Sequence, residues 1–324
     1  MENKSNWTWE TDKKEVADIG DINNRFPEVH EFSVSDDGEK IAVPVKNEAG
    51  KITAIANGEA WPGDYEKLWY MHFGPDGRLT GLGVNDDQWT VIVDGEAWEE
   101  KYEYVWNTRF SEDGKYIGVQ AKRDFEHTIS VNGKAFEKTF LSSREFALSP
   151  DGQKAAALVQ VEQLAEADIF KFLEGTWSVA VNGVPWEKKF VNVWGVVINP
   201  HNGQVAAQVR LGICEFTIAV DDKMWDERFA SVWQPAFRPG GDSLIVPAKV
   251  GGGWTLVEDG KPIWDSRYAQ LWYHKFSPDA KKIGAIVALE MGRWTVAIDD
   301  KPWKTTFKDL VIGPVFSEDG LHAA

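Results

Sequence analysis

The 324-residue sequence predicts an all-β fold, specifically a β-propeller of four-stranded antiparallel blades. Three observations lead to this prediction. Two turn motifs alternate along the chain, they recur with a period near 39 residues, and alternating or β-branched runs separate them. A period of this length is typical of repeat proteins, and four strands per repeat are typical of a propeller blade.

The first turn motif is a large apolar residue followed by Ser-x-Asp-Gly or a variant of it. Its eight copies end at residues 38, 77, 114, 152, 203, 241, 280 and 320, so the steps are 39, 37, 38, 51, 38, 39 and 40. The single long step predicts an insertion at 160–175 in an otherwise regular chain. We therefore expect one propeller domain over residues 1–324.

The second turn motif is Asp-Gly or Asn-Gly followed by a large residue, as in "VDGEAW" (93–98) and "VNGVPW" (181–186). These dipeptides tolerate the positive φ angles that a two-residue hairpin turn requires. Runs such as "TVIV" and "SVAV" precede them and are typical of strands. Each period therefore contains two hairpins, which together form one four-stranded blade.

The two chain ends are expected to share one blade. "WTWETDKKEV" (7–16) aligns with "WTVAIDDKPW" (294–303), and "VFSEDGLHAA" (315–324) supplies a first hairpin that has no second one after it. Pairing of these terminal hairpins would close the ring and remove exposed strand edges. We expect eight blades, with seven as the fallback number if the terminal hairpins do not pair.

The 17 tryptophans follow the repeat. All but Trp9 fall into three positional classes. The first class opens the third strand (Trp7, Trp89, Trp177, Trp254 and Trp294), and the second follows the second turn (Trp61, Trp98, Trp186, Trp225, Trp264 and Trp303). The third class lies on the innermost strand, which is the first of each blade (Trp69, Trp106, Trp194, Trp233 and Trp272). A sugar-binding platform or a chain of redox-active indoles would be functional explanations. Because the residues recur in nearly every repeat, we interpret them as wedges between blades.

Composition restricts the partners and cofactors. With 51 acidic and 35 basic residues the net charge is −16, which argues against nucleic acid and anionic lipid surfaces as partners. The sequence has no apolar leader segment and no long apolar run, so we expect a cytoplasmic protein without direct membrane insertion. One cysteine and six histidines without metal-ligand spacing predict no cofactor. The cysteine, Cys214, lies between apolar neighbours, and we expect it to be buried.

The insertion is the main irregular feature. Ala165, Ile169, Phe172 and Leu173 are spaced to share one face of a short helix, and Phe170 lies beside that stripe. Such a helix could pack on its own blade, or it could dock a partner protein. The candidate docking residues are Ile169, Phe170, Phe172 and Leu173. Propeller geometry places this insertion on the face opposite the glycine turns, together with the other irregular connections.

The "FSPD" and "FSEDG" turns with their following strands resemble the repeats of TolB-like and other WD40-like propellers. The tryptophan-rich V-D/N-G-x-x-W repeat resembles the tryptophan-rich subunits of the Tmc transmembrane redox complex of sulfate-reducing bacteria. This resemblance implies a cofactorless accessory subunit on the cytoplasmic side, peripheral to the inner membrane. Its implied companions are a periplasmic tetrahaem cytochrome c, a membrane cytochrome b and a cytoplasmic iron–sulfur protein.

Two classes of function remain open. The absence of catalytic motifs favours a non-catalytic protein-interaction scaffold, namely an accessory subunit of a membrane-associated electron-transfer complex. The alternative is an enzyme or small-ligand-binding propeller with its site at the mouth of the central channel. A pocket with converging polar groups and shifted pKa values would favour this alternative.

Overall fold

The computed structural model describes residues 15–164, 168–309 and 311–324, and these contain seven antiparallel sheets whose strands follow each other in chain order. A short helix, α1 (Ile19–Arg25), precedes the first sheet. Its N-cap residue Asp18 accepts a hydrogen bond from the N–H of Asp21, and Ile22 packs against Val43 and Val45 of the first sheet.

The chain divides into two compact units, Met1–Leu141 with Leu148–Ala155, and Ser142–Ala147 with Ala156–Ala324. The first unit contains three complete sheets. Sheet one comprises β1 (Glu28–Val29), β2 (Ser33–Val34), β3 (Ile41–Lys46), β4 (Ile52–Ala56) and β5 (Glu59–Ala60). Sheet two comprises β6 (Lys67–Phe73), β7 (Leu79–Asn85), β8 (Gln88–Val93) and β9 (Glu96–Ala97). Sheet three comprises β10 (Tyr104–Phe110), β11 (Ile117–Arg123), β12 (Glu126–Val131) and β13 (Lys134–Ala135). In sheet one, β1 and β2 both pair with β3 and together form a split first strand.

The remaining sheets lie mainly in the second unit. Sheet four comprises β14 (Ser142–Leu148), β15 (Ala155–Gln160), β16 (Trp177–Val181) and β17 (Val184–Pro185), and sheet five comprises β18 (Asn192–Ile198), β19 (Val205–Gly212), β20 (Glu215–Val220) and β21 (Lys223–Met224). Sheet six comprises β22 (Ala236–Phe237), β23 (Leu244–Val250), β24 (Gly253–Glu258) and β25 (Lys261–Pro262). Sheet seven comprises β26 (Gln270–Phe276), β27 (Ile283–Glu290), β28 (Arg293–Ile298) and β29 (Lys301–Pro302). A second helix, α2 (Ile169–Glu174), lies between β15 and β16.

The all-β fold and the four-stranded sheets are confirmed, and the number of sheets among the described residues fits the fallback of seven. The described residues form seven such sheets, which is the fallback number rather than eight. An eighth sheet would need the strand predicted at 7–16, and residues 7–14 of that segment lie outside the described residues. The C-terminal hairpin is present, since Val315 and Ala324 exchange both backbone hydrogen bonds.

The first turn motif joins the first and second strands of each sheet by local hydrogen bonding. In sheet seven the hydroxyl of Ser277 donates to Asp279 Oδ1 at 2.6 Å and accepts from the N–H of Lys282 at 3.0 Å. The bond from Ser277 lowers the pKa of Asp279 to about 2. The same pairing closes four other turns: Ser35–Asp37, Ser111–Asp113, Ser149–Asp151 and Ser317–Asp319. These aspartates are therefore engaged in turn formation.

The second turn motif has the two positive φ angles that its sequence predicts. In sheet two, φ is 48° at Asp94 and 88° at Gly95. Asp94 Oδ1 also accepts the N–H of Leu79, which begins the second strand. The turn dipeptide thus closes one hairpin and fixes the neighbouring strand.

A further contact extends each short fourth strand. In sheet two, the N–H of Trp89 donates to the Tyr102 carbonyl at 2.8 Å, and the N–H of Tyr102 donates to the Trp89 carbonyl at 2.9 Å. Every sheet has one such pair. A residue at or next to the start of the third strand exchanges both backbone hydrogen bonds with an aromatic residue 13 or 14 positions later: Ile52–Tyr65, Trp89–Tyr102, His127–Phe140, Trp177–Phe190, Phe216–Phe229, Trp254–Tyr268 and Trp294–Phe307. We call these contacts the aromatic bridges.

Two of the three tryptophan classes contribute to the cores. Trp89 and Trp177 of the third-strand class are buried, as are Trp61 and Trp264 of the class that follows the second turn. Each belongs to a cluster formed by two consecutive sheets or by a sheet and the segment that follows it. The interpretation as wedges holds for these residues. It does not hold for Trp69 and Trp233 on first strands, which are 43% and 46% exposed.

Consecutive sheets are also connected at their first turns. The ammonium of Lys40 donates to the Gly77 carbonyl of the next turn at 2.7 Å, and Arg78 donates to the Gly114 carbonyl at the same distance. In the second unit Lys282 donates to the Gly320 carbonyl at 2.9 Å. The C-terminal hairpin is thus bonded to sheet seven in the way that a following sheet would be.

An aspartate connects neighbouring sheets where the second turn reads Asp-Asp. Asp300 has the left-handed φ of 63° that glycine adopts at this position elsewhere. Its carboxylate accepts the N–H groups of Asp265 and Ser266 at 2.8 and 3.0 Å, and the hydroxyl of Tyr268 at 3.0 Å. Burial raises the pKa of Tyr268 to about 12, and the bond to Asp300 acts in the same direction.

We predict that Asp300→Gly destabilises the protein by about 1–3 kcal/mol. Glycine would relieve about 1 kcal/mol of left-handed strain, but losing the three hydrogen bonds that share this one partly exposed carboxylate costs about 2–4 kcal/mol in total, because bonds to one group do not simply add. Chemical denaturation measures the difference. Asp86→Gly is the matched control because Asp86 is exposed, also left-handed at φ 52°, and makes no side-chain hydrogen bond among the described residues. Equal stability of both variants would contradict the prediction.

Deletion of residues 1–16 tests the predicted pairing of the chain ends. If residues 7–16 pair with the hairpin at 315–324, the deletion exposes a strand edge and lowers the free energy of unfolding by several kcal/mol or promotes aggregation. Denaturation and light scattering report the two effects. Deletion of residues 1–6 alone is the control and should leave both unchanged. A 1–16 deletion that melts like the full-length chain would refute the pairing.

Candidate functional site

The insertion is anchored on its N-terminal side and contains the helix expected there. Asp168 caps α2 by accepting the N–H of Lys171 at 2.9 Å. On the preceding side, Glu162 pairs with the ammonium groups of Lys189 at 2.8 Å and Lys171 at 3.7 Å. The bond from Lys189 lowers the pKa of Glu162, so this carboxylate stays charged. These contacts fix the helix beside sheet four.

The apolar side chains of α2 are directed largely toward solvent. Ile169 is 62% exposed, Phe170 79% and Leu173 48%, whereas Phe172 is half-buried. None of the six residues of α2 is buried. A helix that packed on its own sheet would bury its apolar stripe, and only Phe172 contributes to such packing. The structure therefore brings three of the four candidate docking residues together on an accessible surface.

The other connections between second and third strands also carry exposed apolar side chains. Ile213 in the β19–β20 turn and Met291 in the β27–β28 turn are largely exposed, and so is Phe125 in the β11–β12 turn of sheet three. Cys214 beside Ile213 is exposed as well, with φ at 54°. Its predicted burial was wrong, because "GICE" forms the hairpin turn rather than part of a strand.

A second feature is a cavity of about 790 Å³ at the first strands of sheets five, six and seven. Its wall includes Trp233, Pro247, Trp272 and Tyr273. The volume lies in the range of small-molecule pockets, and the lining is mainly aromatic and aliphatic. The alternative function expected a ligand site at the mouth of the central channel; this cavity is lined mainly by residues of the first strands of three consecutive sheets.

The cavity lies where the first strand of sheet six is interrupted. β22 has two residues, whereas β18 and β26 have seven each. The Pro247 carbonyl accepts the N–H of Trp233 at 2.9 Å, so the backbone of Pro247 is turned toward the first strand. Because proline has no N–H to offer on that side, and Pro235 follows in the first strand, the hydrogen-bond ladder stops there.

His274 is the histidine of the cavity wall. Burial lowers its pKa to about 4, although a hydrogen bond to the backbone of Ile245 acts in the opposite direction. Its Nε2 atom is shielded from solvent and has no hydrogen-bond partner among the described residues. The ring is therefore neutral at physiological pH, and among the described residues no lining side chain carries a charge there.

Sequence reasoning missed this cavity, although a signal was present. The dipeptide Trp-Tyr occurs twice on first strands, as Trp69-Tyr70 and Trp272-Tyr273. Each tyrosine occupies a β-bulge and has a left-handed φ, 53° and 51° respectively. A β-bulge redirects a side chain, and a bulky residue is uncommon in this conformation.

The described residues contain no group of three or more histidine, cysteine, aspartate or glutamate side chains that could hold a metal. Within the same part of the chain, no helix is long and apolar enough to cross a membrane. The lining of the cavity offers apolar contact, aromatic rings and a few neutral polar groups. Such an arrangement is suited to binding.

Seven consecutive antiparallel four-stranded sheets define a β-propeller. The chain is similar to a crystal structure of the eukaryotic initiation factor, with a TM-score of 0.51 and 13% identity over 89% of this chain and 81% of that chain. It is also similar to the Dos1 propeller (TM-score 0.47, 12% identity, 92% and 90% covered) and to the β-propeller domain of the Trilobed protease from Pyrococcus furiosus (TM-score 0.35, 10% identity, 88% and 95% covered). No family model and no curated protein matches the sequence. At these identities the likeness shows the fold alone.

Proposed function

We propose that this protein is a non-catalytic scaffold that docks another protein through α2. The exposure of Ile169, Phe170 and Leu173 is the observation that carries the proposal. Three large apolar side chains on one short, capped helix have no partner surface in their own sheet. Apolar anchors of this kind supply most of the energy of a protein interface.

The rest of the molecule supports a role in binding rather than catalysis. The turn aspartates bond to their own serines, and the second-turn aspartates bond to backbone N–H groups. These carboxylates are therefore occupied by the scaffold. The net charge of −16 favours a basic partner surface and would accelerate association with one.

The proposed partners are an iron–sulfur subunit and a membrane cytochrome subunit of an electron-transfer complex. This part of the proposal rests on the resemblance of the V-D/N-G-x-x-W repeat to the tryptophan-rich subunits of the Tmc complex. The same resemblance implies that the chain lies on the cytoplasmic side and associates with the inner membrane through its partners. The scaffold itself then needs no cofactor of its own.

We predict that the triple variant Ile169→Ser, Phe170→Ser, Leu173→Ser weakens partner binding by at least about tenfold. Together the three apolar anchors contribute at least about 1.4 kcal/mol to binding, which is tenfold in affinity, while removing side chains that are exposed in the free protein leaves the melting temperature unchanged. The tagged chain would be isolated from native membranes, and the iron–sulfur and cytochrome subunits would be identified by mass spectrometry and quantified.

Two variants serve as controls. Val184→Ser removes an apolar side chain that is 70% exposed at the opposite end of sheet four, and it should spare binding. Phe172→Ser removes the half-buried residue of α2 and should lower the melting temperature. Retention of the subunits by the triple variant at the wild-type level would contradict docking through α2. Failure of the wild-type chain to retain either subunit would contradict the proposed partners.

A further inference from the structure

The cavity at sheets five to seven has two rigid aromatic walls. Trp233 stacks on Trp254 with ring centroids 5.7 Å apart and an angle of 15° between the planes. Trp272 lies against Trp294 at 4.8 Å and 36°. Because each indole is supported by a second one, little conformational entropy would be lost when a ligand contacts it.

Tyr273 contributes a third ring under conformational strain. It is 68% exposed and lies in a β-bulge with φ at 51°. The equivalent bulge position in sheet five is Gly195, with φ at 58°. Glycine meets the backbone requirement there without cost, whereas tyrosine does not. The bulge therefore occurs in sheet five without a side chain, whereas in sheet seven it presents the aromatic ring of Tyr273 to the cavity.

The lining defines which ligands suit the cavity. A charged ligand would lose hydration without meeting a counter-charge, since His274 is neutral and the other lining residues are uncharged. A sugar would need many hydrogen-bonding groups, and the accessible ones on the wall are the amide of Gln234 and the Tyr273 hydroxyl, since His274 Nε2 is shielded from solvent. A flat ring system would instead use the indole faces and the proline rings.

We propose that this cavity binds a neutral, planar aromatic or heteroaromatic small molecule, stacked on Trp233 and Trp272 and covered by Tyr273. The amide of Gln234, exposed at the wall, is placed to bond a polar atom on the ligand. This site is separate from α2 and does not depend on the docking function. Its volume of about 790 Å³ accommodates two or three fused rings.

Fluorescence titration of the full-length protein with N-phenyl-1-naphthylamine, a neutral aromatic probe, tests the proposal. We expect saturable binding of one probe per chain. Tyr273→Gly should weaken it by about fivefold or more, the loss of one aromatic contact, without lowering the melting temperature. The anionic probe 8-anilinonaphthalene-1-sulfonate should bind at least about tenfold more weakly than the neutral one, because the cavity offers it no counter-charge.

Tyr70→Gly is the matched control, because Tyr70 occupies the equivalent bulge of sheet two with φ at 53° and does not line the cavity. This variant should bind the neutral probe like the wild type. Absence of saturable binding to the wild-type chain would overturn the proposal. Equal weakening by Tyr70→Gly and Tyr273→Gly would overturn the assigned site, and equal affinity for both probes would overturn the preference for a neutral ligand.

Discussion

The aromatic bridge near the start of the third strand is the contact on which each sheet depends. The fourth strand alone contributes two residues, too few to secure the edge of a sheet. The reciprocal backbone bonds between Trp89 and Tyr102 return the chain to that edge before the next sheet begins. Both side chains then pack with Val105 and Val119 of sheet three. One contact therefore completes a sheet and forms the core that joins it to the next.

The repeat and its turns could be predicted because their chemistry is local. Asp94-Gly95 specifies a hairpin turn whatever surrounds it, and Ser277 with Asp279 closes a turn within five residues. The burial of Trp89 follows from its recurrence in the repeat. The helix in the insertion was predictable from the spacing of Ile169 and Leu173.

Other features depend on tertiary contacts. Tyr102 lies in an irregular segment without a turn motif, so only its constant spacing from Trp89 could have indicated the bridge. The cavity lies where Pro247 faces Trp233 and Pro235 follows in the first strand, and a linear sequence does not show which residues of the two strands face each other. Cys214 was predicted to be buried from its apolar neighbours, but the hairpin turn falls on it. The strand predicted at 7–16 stays a prediction.

Regular positions of this chain build the propeller, and we propose that irregular positions provide surfaces for binding. Site-specific photocrosslinking in the native cell tests this division most directly, with p-benzoylphenylalanine placed at position 170 or at position 184. Phe170 and Val184 are both highly exposed, the first on the insertion and the second at a regular turn of the same sheet. The account predicts a discrete adduct with an electron-transfer subunit from position 170 and none from position 184. Adducts of equal yield from both positions, or from position 184 alone, would contradict it.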